Sequence, residues 1–172
     1  MFAGWQTFYQ MTGEAAATLT GLLFLVVSLM SGRPVPSTSL GNRLFTSPTV
    51  FHMVSVLVIS GVALAPAGMG DLQSVAVLVW AGLGAVHALS CAVRLSRLSK
   101  PSHWSDFWWY GFAPSTAYLV LGAAAALTWA HIPYAAYLVA ASLMALLVGA
   151  IRNAWDLVTW IAPRRDAPPP SS

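Results

Sequence analysis

Long runs of apolar residues decide what this chain can fold into. Residues 15–32 form an uncharged run of 18 residues, about the length of α-helix that crosses the roughly 30 Å of hydrocarbon in a bilayer. Over the whole chain 58% of the residues are hydrophobic and 8% are charged, whereas soluble domains carry roughly 25% charged residues. We therefore expect an integral membrane protein whose solvent is lipid.

Turn-forming and basic residues divide the sequence into five apolar segments. The predicted fold is an all-α integral membrane bundle of five transmembrane helices, in a single domain over residues 1–162. Pro114 is expected to kink the fourth helix. The aromatic-rich stretch of residues 2–9 is expected to lie at headgroup level. A Pro-rich tail, residues 163–172, is predicted to be disordered in the cytoplasm. The helices are predicted at about residues 14–32, 47–66, 72–93, 106–130 and 134–162.

The positions of the basic residues predict the orientation of the bundle. In a five-helix protein, the loops after the first and third helices lie on the same side of the membrane as the C-terminus. All eight Lys and Arg residues fall on that side, and an excess of basic residues marks the cytoplasmic side. The N-terminus is therefore predicted to lie outside and the C-terminus in the cytoplasm. The eight residues are Arg33, Arg43, Arg94, Arg97, Lys100, Arg152, Arg164 and Arg165.

Several functional classes are disfavoured by the composition and by the motifs. The formal charge of +3 comes from basic residues scattered between apolar runs, which do not form the basic stripe of a nucleic-acid-binding protein. A single cysteine, Cys91, permits neither an internal disulfide nor a cysteine-cluster metal site. The sequence has no Gly-rich phosphate loop, no His-Glu-x-x-His and no Ser-His-Asp spacing. We therefore expect no nucleic-acid partner and no metal site, and we lean against an enzyme.

The last predicted helix carries a polar cluster of Arg152, Asn153 and Asp156. Asn153 and Asp156 continue a line of small residues spaced four apart over 141–149, which predicts that they face protein and not lipid. Ionisable residues inside a membrane are costly and tend to mark ion paths, ligand sites or internal ion pairs. The alternative is that Arg152 snorkels to the surface and Asp156 is interfacial.

Two histidines are predicted at matching depths near the cytoplasmic side. His52 lies about one turn into the second helix, with Ser55 beside it, and His87 lies near the end of the third helix. Three interpretations stay open: a titratable relay or ion site together with the polar cluster, a pair of ligands for haem b or a transition metal, or neutral rings that hydrogen-bond neighbouring helices.

Glu14 is predicted at the outer end of the first helix, in line with Ala17 and Gly21 at helical spacing. One interpretation is a charge at the interface, stabilised by the positive end of its own helix. The other is an outer gate or a proton acceptor.

Three stretches resemble a group of small, uncharacterised bacterial integral membrane proteins. They are residues 5–9 (Trp-Gln-Thr-Phe-Tyr), the Gly- and Ala-rich residues 13–24, and residues 152–156 (Arg-Asn-Ala-Trp-Asp). The resemblance implies a bacterial inner membrane as the location, and it implies no activity.

Three functional hypotheses follow from the sequence. The first is an ion or proton channel or transporter that uses the intramembrane polar residues, and the second is a non-catalytic accessory or assembly subunit of a larger membrane complex. The third is an electron carrier with haem bound between His52 and His87. Thin, Ala- and Gly-rich helices leave little room for a private cavity, so a homo-oligomer or a larger complex in the bilayer is also expected.

Overall fold

All of the regular secondary structure in the described part of the chain is helical, which confirms the predicted all-α fold. The computed structural model describes residues 4–30, 39–66, 71–97 and 107–161, and for residues 30, 39–47, 160 and 161 it describes the backbone alone. The helices are α1 (Gln6–Met30), α2 (Ser39–Leu64), α3 (Asp71–Ser96), α4 (Ala113–Trp129) and α5 (Ala135–Ile161), and a π-helical segment (Trp108–Phe112) leads into α4.

Four of the described helical segments are long and apolar enough to cross a membrane. Residues 48–64 of α2 are also apolar, but they form a shorter stretch. Segments of this length and composition indicate a multi-pass membrane protein. The predicted tail, residues 163–172, lies outside the described residues. The four segments are Gln6–Leu29, Asp71–Ser96, Trp108–Trp129 and Ala135–Thr159.

The first helix begins earlier than the sequence predicted, at Gln6 instead of about residue 14. Aromatic packing explains the additional turns. The Trp5 ring meets the Tyr137 ring of α5 edge to face, with 5.0 Å between the centroids, and Tyr9 is fully buried. Tertiary contacts of this kind stabilise helical turns that propensity alone leaves undecided. Most of the aromatic opening is therefore helix packed against the bundle.

The helices α2, α3, α4 and α5 form a ring in which each packs against the next, and α1 lies outside the ring against α2 and α5. Lipid is as apolar as the side chains in this core, so close van der Waals packing, and not the exclusion of water, stabilises the helix contacts. Representative buried core residues are Val56 and Ile59 of α2, Val77 and Ala81 of α3, Leu121 and Ala125 of α4, and Val139 and Leu143 of α5.

Two glycines let α3 approach the fourth helical segment closely. The Tyr118 ring of α4 lies directly over Gly84, where a methyl group would overlap the ring. A methyl group at Gly111 would lie 2.9 Å from the Cβ atom of Ala92, which is also too close. The space at Gly84 allows Tyr118 to lie in the middle of the bundle, 1% exposed.

Candidate functional site

A row of hydrogen bonds crosses the bundle from α2 to α4 and back. His52 Nδ1 lies 3.0 Å from the Tyr118 hydroxyl, which donates to Ser55 Oγ at 2.8 Å, and the Ser55 hydroxyl donates to the Phe51 carbonyl at 2.7 Å. A carbonyl can only accept, so the Ser55 proton points at Phe51 and the Ser55 oxygen accepts from Tyr118. The Tyr118 oxygen must then accept its second hydrogen bond from the N–H of His52. The row thus runs in one direction.

This direction fixes the tautomer of His52. A neutral imidazole carries one proton, and if Nδ1 holds it then Nε2 is an acceptor. The residue is only 1% exposed, and Nε2 has no hydrogen-bond partner among the described residues. A buried acceptor without a partner costs about 1–3 kcal/mol. His52 therefore holds a lone pair that the described part of the protein does not satisfy.

The same histidine lines a cavity of about 390 Å³, which we call the His52 cavity. Its other lining residues are apolar or small apart from Trp109, and they come from the π-helical segment, α4 and α5. Met144 and Val148 are 39% and 51% exposed, so the cavity opens at the outer surface of the bundle. The lining residues are His52, Trp109, Ala113, Pro114, Met144, Ala145, Leu146, Val148 and Gly149.

The His52 cavity lies well away from one end of the helices that line it. His52 is about 18 Å along α2 from its end at Leu64, and Gly149 is about 21 Å along α5 from its start at Ala135, at a rise of about 1.5 Å per residue. For comparison, the hydrocarbon core of a bilayer is roughly 30 Å thick.

The hydrogen bond made by the Asn153 side chain replaces one that Pro114, on the neighbouring helix α4, cannot make. In the π-helical segment each N–H bonds to the carbonyl five residues earlier, as the Ala113 N–H does to the Trp108 carbonyl. In that register the Trp109 carbonyl would need an N–H from Pro114, which has none. Asn153 Nδ2 donates to this carbonyl at 3.4 Å. The π-helical turn thus lies directly before Pro114, and Asn153 of α5 bonds the Trp109 carbonyl that Pro114 cannot bond. The kink expected at Pro114 stays a prediction.

Two predicted site residues meet Trp109 from the neighbouring helix. The Arg152 guanidinium lies 4.7 Å from the centroid of the Trp109 ring, and Asn153 bonds the Trp109 backbone. Arg152 Nη1 is also 3.0 Å from Asp156 Oδ2, in a pair whose side chains are 34% and 44% exposed. This nitrogen is buried without an aligned hydrogen bond, so the contact is an ion pair. Arg152, Asn153 and Asp156 therefore lie together, next to one wall of the cavity.

The predicted small-residue face of the last helix is only partly correct. Asn153 is fully buried, as predicted. Ala141 and Ala145 are exposed, and Gly149 and Asp156 are intermediate. Small residues fit against lipid as well as against a helix, so their spacing alone did not decide which face packs.

His87 meets a different partner from His52. Its ring stacks on the Phe51 ring, with 4.3 Å between the centroids, and its Nε2 lies 3.8 Å from Cys91 Sγ on the same helix. It does not line the His52 cavity. These contacts do not test the haem hypothesis, which stays a prediction.

Glu14 lies outside the group around Trp109. It is exposed on α1, and its carboxylate accepts a hydrogen bond from Gln10 Nε2 at 3.0 Å. The buried contact nearby is made by other residues, since the Thr12 and Ser60 hydroxyls are 3.0 Å apart and join α1 to α2.

Sequence reasoning singled out neither Tyr118 nor Trp109. Tyr118 carries a signal that could have been used, because a tyrosine in the middle of an apolar helix needs a partner for its hydroxyl. Trp109 carries no such signal, since its role depends on how α5 is turned towards it.

No family model, no curated protein and no solved structure matches the chain. Inferences about function therefore rest on the geometry of the described residues.

Proposed function

We propose that the protein is a five-span protein of the inner membrane that binds a small lipid-soluble molecule in the His52 cavity. The observation that supports this most directly is the mainly apolar lining of a cavity of about 390 Å³. A cavity of about 150 Å³ in another protein holds benzene, so this one admits a substituted ring. Such a ligand would be mainly apolar, because the lining is.

The proposed role is binding and not catalysis. Among the described lining residues, His52 is the one with a titratable side chain, and acid–base or nucleophilic chemistry generally needs a second positioned group. A ligand would enter from the bilayer past Met144 and Val148, which are exposed one turn apart on α5. Pockets of about 300–1,000 Å³ are typical of small-molecule sites, and this one lies within that range.

The test uses 4-hexylphenol as an apolar ring probe. Purified protein in mild detergent is titrated with it, and the midpoint of thermal unfolding is followed, because a ligand that binds the native state raises it. We expect the midpoint of wild type to rise to a plateau. In Gly149→Leu the rise should disappear, because the added side chain occupies the cavity.

The matched control is Gly82→Leu. A methyl group added at Gly82 also meets nothing within 4 Å, and Gly82 does not line the cavity, so the variant should respond as wild type does. No rise in wild type, or an undiminished rise in Gly149→Leu, would refute the proposal.

Ion or proton transport is the second candidate, and the Arg152–Asp156 pair supports it. Both residues lie in the apolar segment Ala135–Thr159, where each charge costs roughly 2.5–3.5 kcal/mol at mid-membrane depth on insertion scales. Ion or proton flux into liposomes, compared between wild type, Asp156→Asn and His87→Ala, tests it. Flux that falls in the variants supports transport. Flux equal in all three, or no greater than in empty liposomes, counts against it.

A further inference from the structure

We propose that the His52 cavity and the Arg152–Asp156 pair together bind a phospholipid with a phosphoethanolamine head, and that one acyl chain of this lipid lies in the cavity. The inference rests on the proposed binding in the cavity and names the class of ligand. The juxtaposition that supports it is an open, mainly apolar cavity and, one helical turn further along α5, a partly exposed pair of opposite charges.

One face of α5 changes from apolar to charged along its length. Met144, Val148, Arg152 and Asp156 are spaced four residues apart, so they follow one another on the same face of the helix. All four side chains are partly exposed, which makes them accessible to a ligand. A ligand along this face therefore meets apolar side chains first, then a cation and then an anion.

The cavity has room for one acyl chain. A cavity of about 150 Å³ in another protein holds the six carbons of benzene, so by the same ratio a larger one admits roughly 15 carbons at the observed volume of about 390 Å³. The small residues Ala145 and Gly149 help to make this space, and a methyl group added at Gly149 would meet no atom of a neighbouring helix within 4 Å. The second chain of the lipid would stay in the bilayer beside the cavity.

The order of the charges along α5 matches their order in this head group. Arg152 lies one turn nearer to the cavity than Asp156. In the ligand the phosphate lies next to the chains, and the primary ammonium follows after two carbons. With a chain in the cavity, the phosphate therefore reaches Arg152 and the ammonium reaches Asp156. Both contacts are charge-assisted hydrogen bonds, which are stronger than neutral ones.

The Arg152 guanidinium has donors left for a phosphate. It carries five N–H groups, and among the described residues it contacts Asp156 through Nη1 and the face of the Trp109 ring. The Trp109 ring also lines the cavity, so it holds the guanidinium beside the cavity wall. Arginine is well suited to this contact, because its planar fork can bind a phosphate through two N–H groups.

Distances along α5 agree with a head group at the charged pair. Arg152 and Asp156 lie about 26 Å and 32 Å from the start of α5 at Ala135, at about 1.5 Å per residue. The hydrocarbon core of a bilayer is roughly 30 Å thick. A helix that enters the bilayer at its start therefore reaches the opposite head groups near this pair.

The charged pair distinguishes three head groups by their charge complementarity. The ammonium of phosphocholine has no N–H, so it cannot donate a hydrogen bond to Asp156. A phosphoglycerol head has no positive charge, so Asp156 repels its phosphate without compensation. Phosphoethanolamine supplies a partner for each member of the pair. Attraction of one ligand combined with repulsion of another is a general source of specificity.

The experiment titrates the purified full-length protein in mild detergent with dioleoyl-phosphatidylethanolamine, -phosphatidylcholine or -phosphatidylglycerol and follows the midpoint of thermal unfolding. Wild type should bind the ethanolamine lipid about tenfold more tightly than the choline lipid, or better, since one charge-assisted hydrogen bond separates them. In Asp156→Asn this ratio should fall towards one, and the glycerol lipid should bind more tightly than it does to wild type. The control Asp71→Asn removes an exposed carboxylate at the start of α3 and should keep the wild-type ratio.

Arg152→Gln tests the contact with the phosphate. The three lipids share this group, so each should bind about tenfold more weakly when the guanidinium is removed. The control is Arg94→Gln, which removes an exposed guanidinium in the last turn of α3, outside the cavity lining. This variant should bind the three lipids as wild type does.

A second readout does not depend on any variant being stable. Native mass spectrometry of wild type, mixed with equal amounts of the three lipids, reports which lipid stays bound. The ethanolamine lipid is expected to exceed the other two. Equal amounts of the three, or an excess of another lipid, would overturn the inference.

The outcomes separate this inference from the proposed function. Equal affinity for the ethanolamine and choline lipids, an unchanged ratio in Asp156→Asn, or unchanged affinities in Arg152→Gln would overturn the head-group assignment alone, provided that 4-hexylphenol binds wild type and not Gly149→Leu. Undiminished binding of the ethanolamine lipid to Gly149→Leu would overturn the placement of its chain. If neither 4-hexylphenol nor any of the lipids binds, both proposals fail.

Discussion

At the scale of single residues, Asn153 shows how a polar group in an apolar helix can have a structural task. The sequence predicted that it belongs to an ion path or ligand site. Its side-chain amide bonds the Trp109 carbonyl, and its own backbone carbonyl accepts from the Tyr110 hydroxyl at 3.3 Å. These contacts tie α5 to the π-helical segment and favour a structural role for Asn153.

We expect Asn153→Ala to lower the free energy of unfolding by about 1–3 kcal/mol, since a buried carbonyl then has no donor. Denaturant titration in detergent measures the change. Thr159→Ala is the control, because that exposed hydroxyl bonds only to its own helix, and its effect should stay within about 0.5 kcal/mol. In the Asn153→Ala background, Pro114→Ala restores an N–H and should recover part of the loss. Equal stability of Asn153→Ala and Thr159→Ala would contradict this explanation.

At the scale of helices, the contact between α3 and α4 sets where the polar row lies. Gly84 lets the Tyr118 ring into the bundle, and from there the hydroxyl reaches His52 and Ser55 of α2. One missing side chain on α3 thus decides a hydrogen bond between two other helices.

The prediction for this contact is that Gly84→Ala is destabilised by about 1–3 kcal/mol, as expected when a packed core receives an extra methyl group. Gly82→Ala is the matched control two residues away on the same helix. Nothing lies within 4 Å of a methyl group there, and alanine is the better helix former by about 1 kcal/mol. An unchanged stability of Gly84→Ala would contradict this prediction, because it would show that the Tyr118 ring can move away from the added methyl group.

At the scale of the whole molecule, the orientation and the number of spans are open to direct measurement. Four described segments are long and apolar enough to span, and the predicted fifth span is α2, whose described apolar stretch is shorter. We expect reporter fusions placed after residue 163 to score cytoplasmic and fusions within residues 66–71 to score external, because basic residues follow the first, third and fifth helices. The reverse pattern, or both fusions on one side, would contradict five spans with the N-terminus outside.

A homo-oligomer or a larger complex stays a prediction, which native mass measurement in mild detergent can decide.

Much of the fold was predictable because apolar runs and breakers are local features of the sequence. The start of α1 was not, since it depends on the contact between Trp5 and Tyr137, which are far apart in the chain. His52 stood out as a polar residue in an apolar helix. Its partner Tyr118 and the cavity wall at Trp109 depend on the rotation and depth of three helices, which periodicity along one helix does not specify.

The row of hydroxyls that begins at His52 ends on the Phe51 carbonyl, which has no proton to hand on. A proton wire needs every member to give one proton as it receives another, and this row stops after two hydroxyls. A membrane that stores energy as a proton gradient would therefore not be discharged along it. The protein can hold hydrogen-bonding groups inside its bundle while this row does not conduct protons.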